Sequence, residues 1–221
     1  MNKEYIIKQT QEYVRKTLGG EGSGHDWWHI YRVWKNAIFI GQREGIDLFI
    51  VQLAALLHDI ADWKFHAGDD SVGPKLAKEW LEKLQIEENI SSHVSQIIRE
   101  ISFKGEGVKS QMGTKEGMVV QDADRLDAMG AIGIARVFAT GAKFNETLYD
   151  PAIPVPKYES AKEYIKAKGE KGRTVINHFY EKLLLLKDLM NTKTAKNIAD
   201  KRHKFMKQFL ERFFQEWEGK N

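Results

Sequence analysis

The chain has 221 residues, 42% of them apolar and 29% charged, with a formal net charge of +3. This balance excludes a wholly disordered, collagenous or membrane-spanning chain, and a charge so small gives no general reason to expect nucleic acid or an anionic membrane as partner. With no cysteine, disulfides, thiolate metal sites and cysteine nucleophiles are excluded, His and carboxylate remain as the strong metal ligands, and a reducing cytoplasm is the expected location.

Four prolines and long stretches of 3.6-residue apolar spacing predict an all-α fold in one domain, 1–221. Residues 3–18 form the first predicted helix, with Tyr5, Ile6, Val14 and Leu18 among polar groups, and it breaks at Gly19, Gly20, Gly22 and Gly24. Its charged residues interrupt it too often for a signal peptide. A second helix is expected from near His25 to about Arg43, burying Ile30, Val33, Ala37, Ile38 and Ile40. Asp47 reads as the N-cap of a third, IDLFIVQLAALLHDIAD, apolar almost all round and therefore central, which the loop HAGDDSVGP ends. Further helices are expected at roughly 74–85, 88–103, 117–140, 158–168, 172–190 and 194–217. Long connections lie near 104–117, rich in glycine and lysine, and near 145–158, which holds three of the four prolines.

Three segments carry candidate chemistry. His58 and Asp59 follow the apolar LAALL directly, where an isolated charge is costly; a divalent cation suits both side chains, and so does a capping or salt-bridging role at a helix end. In HDWWHIYRVW, His25, Asp26, His29 and Arg32 recur at helical spacing. In VVQDADRLDAMGAIGIAR, Asp122, Asp124 and Asp127 are spaced so that they spread around a helix axis, and at most one or two of them face one site.

The order H…HD…D, with His29, His58-Asp59 and Asp124 in these contexts, resembles the HD-domain metal-dependent phosphohydrolase superfamily. Asp124 is chosen because Ala123-Asp124-Arg125-Leu126 fits the family pattern Ala-Asp-x-Leu, and the match runs over roughly residues 20–145. The resemblance implies helices converging on one metal held by His29, His58, Asp59 and Asp124, with residues 158–218 packing around that core. It is closer to the small single-domain branch, some of whose members cleave nucleoside triphosphates to monophosphate and pyrophosphate. Two imidazoles and two carboxylates suit Mn²⁺, the favoured ion, or Ni²⁺, Co²⁺, Fe²⁺, Mg²⁺ or Zn²⁺, and leave coordination positions for water and a phosphate oxygen.

Asp62, three residues after Asp59, resembles the position at which related hydrolases place a catalytic carboxylate and is the candidate base. Lys64 and Arg32 are candidates for offsetting phosphate charge, with Lys104 and Lys109 in a loop that could close over substrate. Dinuclear relatives bring further histidines from the helix after the HD pair; here ISFKGEG offers Ser102 and no histidine close by, and His93 lies two turns upstream. One metal is therefore expected, with His25 and Asp26 orienting its ligands, although a second ion through His25 stays open. Seven basic residues against two acidic lie between Lys193 and Arg212, interleaved with Phe205, Met206, Phe209 and Leu210. They read as the solvated face of an amphipathic helix, or as a nucleic-acid patch.

The expected partner is a soluble nucleotide, with neither membrane nor nucleic acid, and the protein is a monomer or homodimer. Nucleoside 5′-monophosphatase or cyclic phosphodiesterase activity is the alternative within the class. A non-catalytic nucleotide or RNA sensor is the alternative outside it.

Overall fold

Several helices begin where a side chain accepts one of the N–H groups that the first turn leaves over, with Asn2, Asp26, Asp47, Thr174 and Thr192 in that role. In the computed structural model, which describes residues 2–19, 26–61, 71–101, 112–156 and 173–220, Asn2 accepts from Tyr5 N–H at 3.1 Å and opens α1 (Lys3–Thr17). Asp26 opens α2 (Trp27–Glu44) and Asp47 opens α3 (Leu48–Leu57). The chain continues through α4 (Val72–Lys83), α5 (Glu88–Glu100), α6 (Lys115–Asp127) and α7 (Gly130–Lys143). It ends with a short α8 (Val175–His178), a π-helical turn (Phe179–Leu183), a 3₁₀ turn (Leu185–Leu189) and the long α9 (Lys193–Trp217). Among the described residues there is no β-strand, only an isolated bridge between Thr147 and Thr174, so the fold is all-α. None of these helices is long and apolar enough to cross a membrane.

Contacts divide the chain into two compact units, residues 1–103 with 109–124 and residues 104–108 with 125–221. In the first, α3 is buried on nearly every side: Val51, Leu53, Ala54, Ala55, Leu56 and Leu57 are all fully buried. Each large apolar side chain so placed contributes about 1.5–3 kcal/mol relative to exposure. Gly41 lets α2 approach α3 closely, since a Cβ there would lie 2.9 Å from Leu48 Cδ2. Trp80 joins α4 to α1, stacking on Tyr13 at 4.0 Å between ring centroids and donating to Thr10 Oγ1 at 3.1 Å. Ser95 of α5 donates to the Pro74 carbonyl at 3.0 Å.

The second unit is organised by aromatic rings and arginines. Phe138, Phe179 and Phe209 meet at centroid separations of 5.9–6.2 Å, and Tyr149 packs edge-on against Phe213, Phe214 and Trp217 of α9. Arg125 donates to the Leu189 carbonyl, Arg202 of α9 donates to the Leu126 carbonyl, and Asp127 pairs with Arg136 at 2.6 Å. Arg173 and Glu181, both buried, form an ion pair.

Several expected boundaries are corrected. The helix expected over 117–140 is two helices, because the chain turns at Gly130, whose φ of +71° only glycine adopts at little cost. The helix expected over 172–190 is divided into α8, the π turn and the 3₁₀ turn. The third helix ends at Leu57 instead of running through the HD pair. Val72 and Gly73, expected in a loop before a helix at 74–85, join Pro74 in the first turn of α4, where the missing N–H of proline breaks no helical bond. Phe205, expected on the apolar face of the last helix, is exposed, whereas Met206 and Leu210 are buried. The helix expected at 158–168 lies outside the described residues.

Candidate metal centre

All four proposed ligands belong to the first unit. His29 sits in the first turn of α2, where its own N–H is held by the Asp26 carboxylate at 2.9 Å. Asp26 is thus the N-cap of α2 and not a member of its side-chain face, which corrects the expectation that it shares the face of His29. The imidazole of His29 is buried, as is that of His58, and the two rings meet edge-on with centroids 5.3 Å apart.

His58 and Asp59 lie immediately after α3, in a turn closed by the Ile60 N–H on the Leu57 carbonyl at 3.1 Å. The apolar helix carries the pair to the interior, and the turn brings consecutive side chains to one point. The His58 Nδ1–H donates to the Ala55 carbonyl at 2.9 Å, leaving the lone pair on Nε2. That Nε2 is buried and has no hydrogen-bond partner among the described residues.

Asp59 Oδ2 lies 3.4 Å from His29 Nε2 and 3.6 Å from His58 Nε2. Asp124 Oδ1, from α6, lies 3.5 Å and 3.9 Å from the same two nitrogens. Two ligands on one ion at about 2.1 Å stand roughly 3.0–3.5 Å apart, so the spacing suits a shared cation. His29, His58 and Asp59 form a group that could hold a metal ion. Burying two imidazole nitrogens against two carboxylates with no cation between them would be costly, and a divalent ion answers both the charge and the open lone pair.

A model of the HD domain matches residues 27–129, which contain every one of these donors. Over 92% of this chain and 89% of the relative, it is 38% identical to the protein YpgQ of Bacillus subtilis. The chain belongs to the HD-domain family. It is therefore an HD-domain metal-dependent phosphohydrolase. Among solved structures, an HD-superfamily hydrolase from Bacillus thuringiensis is similar at 45% identity, with a TM-score of 0.77 over 98% of this chain and 99% of the other. A Lactobacillus plantarum protein reaches a TM-score of 0.83 at 35% identity over 99% and 100% of the two chains. YpgQ itself, crystallised in complex with ADP, has a TM-score of 0.76 at 34% identity over 98% and 97%.

The three aspartates of the segment Asp122–Asp127 separate as their spacing requires. Asp124 is partly exposed and faces the histidines, whereas Asp122 is fully buried and Asp127 pairs with Arg136. Arg32 is half-buried on α2, one turn beyond His29. Asp62, Lys64, His25, Ser102, Lys104 and Lys109 lie outside the described residues. His93 of α5 is 3.9 Å from Glu116 of α6. Sequence reasoning missed the Ala55 carbonyl, since a backbone acceptor has no residue signature; the spacing of three residues along a helix end was the available signal.

Proposed function

We propose that this HD-domain enzyme hydrolyses a nucleoside triphosphate to its monophosphate and pyrophosphate, with His29, His58, Asp59 and Asp124 holding one divalent cation, Mn²⁺ in preference to Ni²⁺, Co²⁺, Fe²⁺, Mg²⁺ or Zn²⁺. The observation that carries the reading is the convergence of two imidazole Nε2 atoms and two carboxylate oxygens within 3.4–3.9 Å. The ADP complex of the related YpgQ supports a nucleotide as the ligand class. When bound, such a cation acts as a Lewis acid toward phosphate and makes water more acidic.

The chain's own residues supply the rest. The ordered His58, with its Nδ1–H fixed on Ala55, offers Nε2 without reorganisation. Asp62 takes one proton from the attacking water as its oxygen adds to the α-phosphorus. The bond from that phosphorus to the α–β bridging oxygen breaks, and pyrophosphate leaves with the electron pair. Arg32 and Lys64 offset charge on the polyphosphate. The basic face of α9 is structural in this reading, its exposed lysines solvated.

The test is a panel of nucleotides with Mn²⁺, Mg²⁺, Co²⁺ and Ni²⁺ in turn, with phosphate and pyrophosphate resolved. Pyrophosphate release is expected, and Asp62→Asn should lower kcat by about 10²–10⁴-fold at unchanged metal content. Tight nucleotide binding with no turnover under any metal would instead favour a sensor.

A further inference from the structure

The helix that carries His29 also carries an aromatic group that the metal chemistry does not use. Trp28, next to the proposed ligand, is 58% exposed, and Tyr31 is 37% exposed. Trp28 meets Tyr31 edge-on at 5.9 Å between centroids, and Tyr31 also meets Trp27 at 6.2 Å and Trp34 at 6.0 Å. Trp34 is tied to α3 by its Nε1–H, which donates to Gln52 at 3.1 Å. The outermost indole is thus supported through Tyr31 and Trp34 by the most deeply buried helix of its unit, a fixed surface in place of a swinging side chain. Scattered exposed apolar residues need no explanation, but a braced aromatic group beside a proposed metal ligand does.

The helix also sets the order of the chemistry around it. At about 100° per residue, Arg32 falls about 60° from His29 and about 40° from Trp28, so its direction lies between theirs. Proceeding around α2, one meets an imidazole suited to a cation, then a guanidinium suited to phosphate, then an exposed indole. A nucleotide presents the complementary series, phosphates at one end and a flat base at the other. Side chains in a first turn lean toward the helix N-terminus, which brings Trp28 and His29 toward the same end of α2.

Resting on the nucleotide reading above, we infer that Trp28, braced by Tyr31, is the stacking platform for the base of the substrate. Stacking accepts any base, because every base presents a π-face, so the platform confers preference for nucleotides over base-free polyphosphates without selecting one nucleobase.

The experiment compares, on metal-replete protein, the KM for a nucleoside triphosphate with the inhibition constant of inorganic tripolyphosphate, which has phosphates and no base. Trp28→Ala should raise the ratio of the first to the second by about 5- to 100-fold, and Trp28→Phe should restore most of it. Nucleotide should quench the tryptophan emission of the wild type, and this quench should disappear in Trp28→Phe while affinity remains, a readout that does not depend on turnover or on Trp28→Ala folding. An unchanged ratio in a folded Trp28→Ala protein, or a quench that persists in Trp28→Phe, overturns the platform alone. Absence of nucleotide turnover by the wild type with every metal overturns the nucleoside triphosphate hydrolysis reading, whereas absence of any nucleotide quench in the wild type overturns the platform.

Discussion

The Nδ1–H of His58 donates to the carbonyl of Ala55 at 2.9 Å, and that one bond decides which ring nitrogen faces His29, Asp59 and Asp124. A backbone acceptor at the end of an apolar helix cannot ionise or swing away, so the Nε2 lone pair is presented before any ion arrives. Metal sites gain affinity when the far side of the ligating imidazole is held in this way.

The first expectation concerns occupancy. Metal-replete protein should contain about one divalent ion per chain, and His58→Ala or Asp59→Ala should lose it. Elemental analysis after gel filtration measures this, with circular dichroism confirming that the variants fold. Stoichiometric metal retained in both folded variants would remove the pair from the site.

The second concerns the end of α6. Gly130 has a φ of +71°, and a Cβ there would lie 3.0 Å from Arg202 Cγ. Arg202 donates to the Leu126 carbonyl, and although burial pushes its guanidinium pKa down, the Asp127 carboxylate opposes that shift. Gly130→Ala should therefore cost about 1–2 kcal/mol from the left-handed backbone alone. Arg202→Met should cost about 0.5–1.5 kcal/mol, since the Leu126 carbonyl loses one donor but keeps the Met129 N–H at 3.0 Å. Urea unfolding of both single variants and the double variant provides the check. Because both act through one contact, their effects should fall short of adding; wild-type stability in either would contradict the role assigned to it.

The candidate ligands were legible through the family resemblance: His58-Asp59 after LAALL and His29 among tryptophans each fit a structural role on their own, and Asp124 is set apart from Asp122 and Asp127 by the pattern Ala-Asp-x-Leu. A charged pair directly after LAALL is expensive without a partner, and that expense is visible in sequence. The helical class was legible from the period of the apolar residues. What was not legible depends on three-dimensional neighbours. The break between α6 and α7 is set by one backbone dihedral at Gly130, and an isolated glycine within an Ala- and Gly-containing helix gives no warning of it. The π turn at Phe179–Leu183 places Glu181 against Arg173, eight residues earlier, a pairing that periodicity does not encode. Phe205 follows the apolar period of α9 yet is exposed, because Met206 and Leu210 occupy the buried line.

The last prediction concerns acid. His178 ends α8 with Nδ1 3.7 Å from Glu181 Oε2, while Arg173 already pairs with that carboxylate. Burial pushes the His178 pKa below its usual value, and the positive charges of Lys182 and Arg173 push it the same way. The hydrogen bond and charge of Glu181 oppose them and do not prevail, since the carboxylate is already neutralised by arginine. The folded protein therefore binds this proton more weakly than the unfolded chain, whose histidine titrates near about 6.5. The contribution to stability is complete above about pH 6.5 and declines as pH falls through that value toward the depressed folded pKa. Denaturant unfolding at intervals between pH 8 and pH 5 should show stability falling on the acid side, with His178→Gln flattening part of that slope because its amide carries no proton to gain. The window stops at pH 5 because carboxylates add their own slope below it. Parallel pH profiles for the variant and the wild type would show that His178 bears no part of the acid sensitivity.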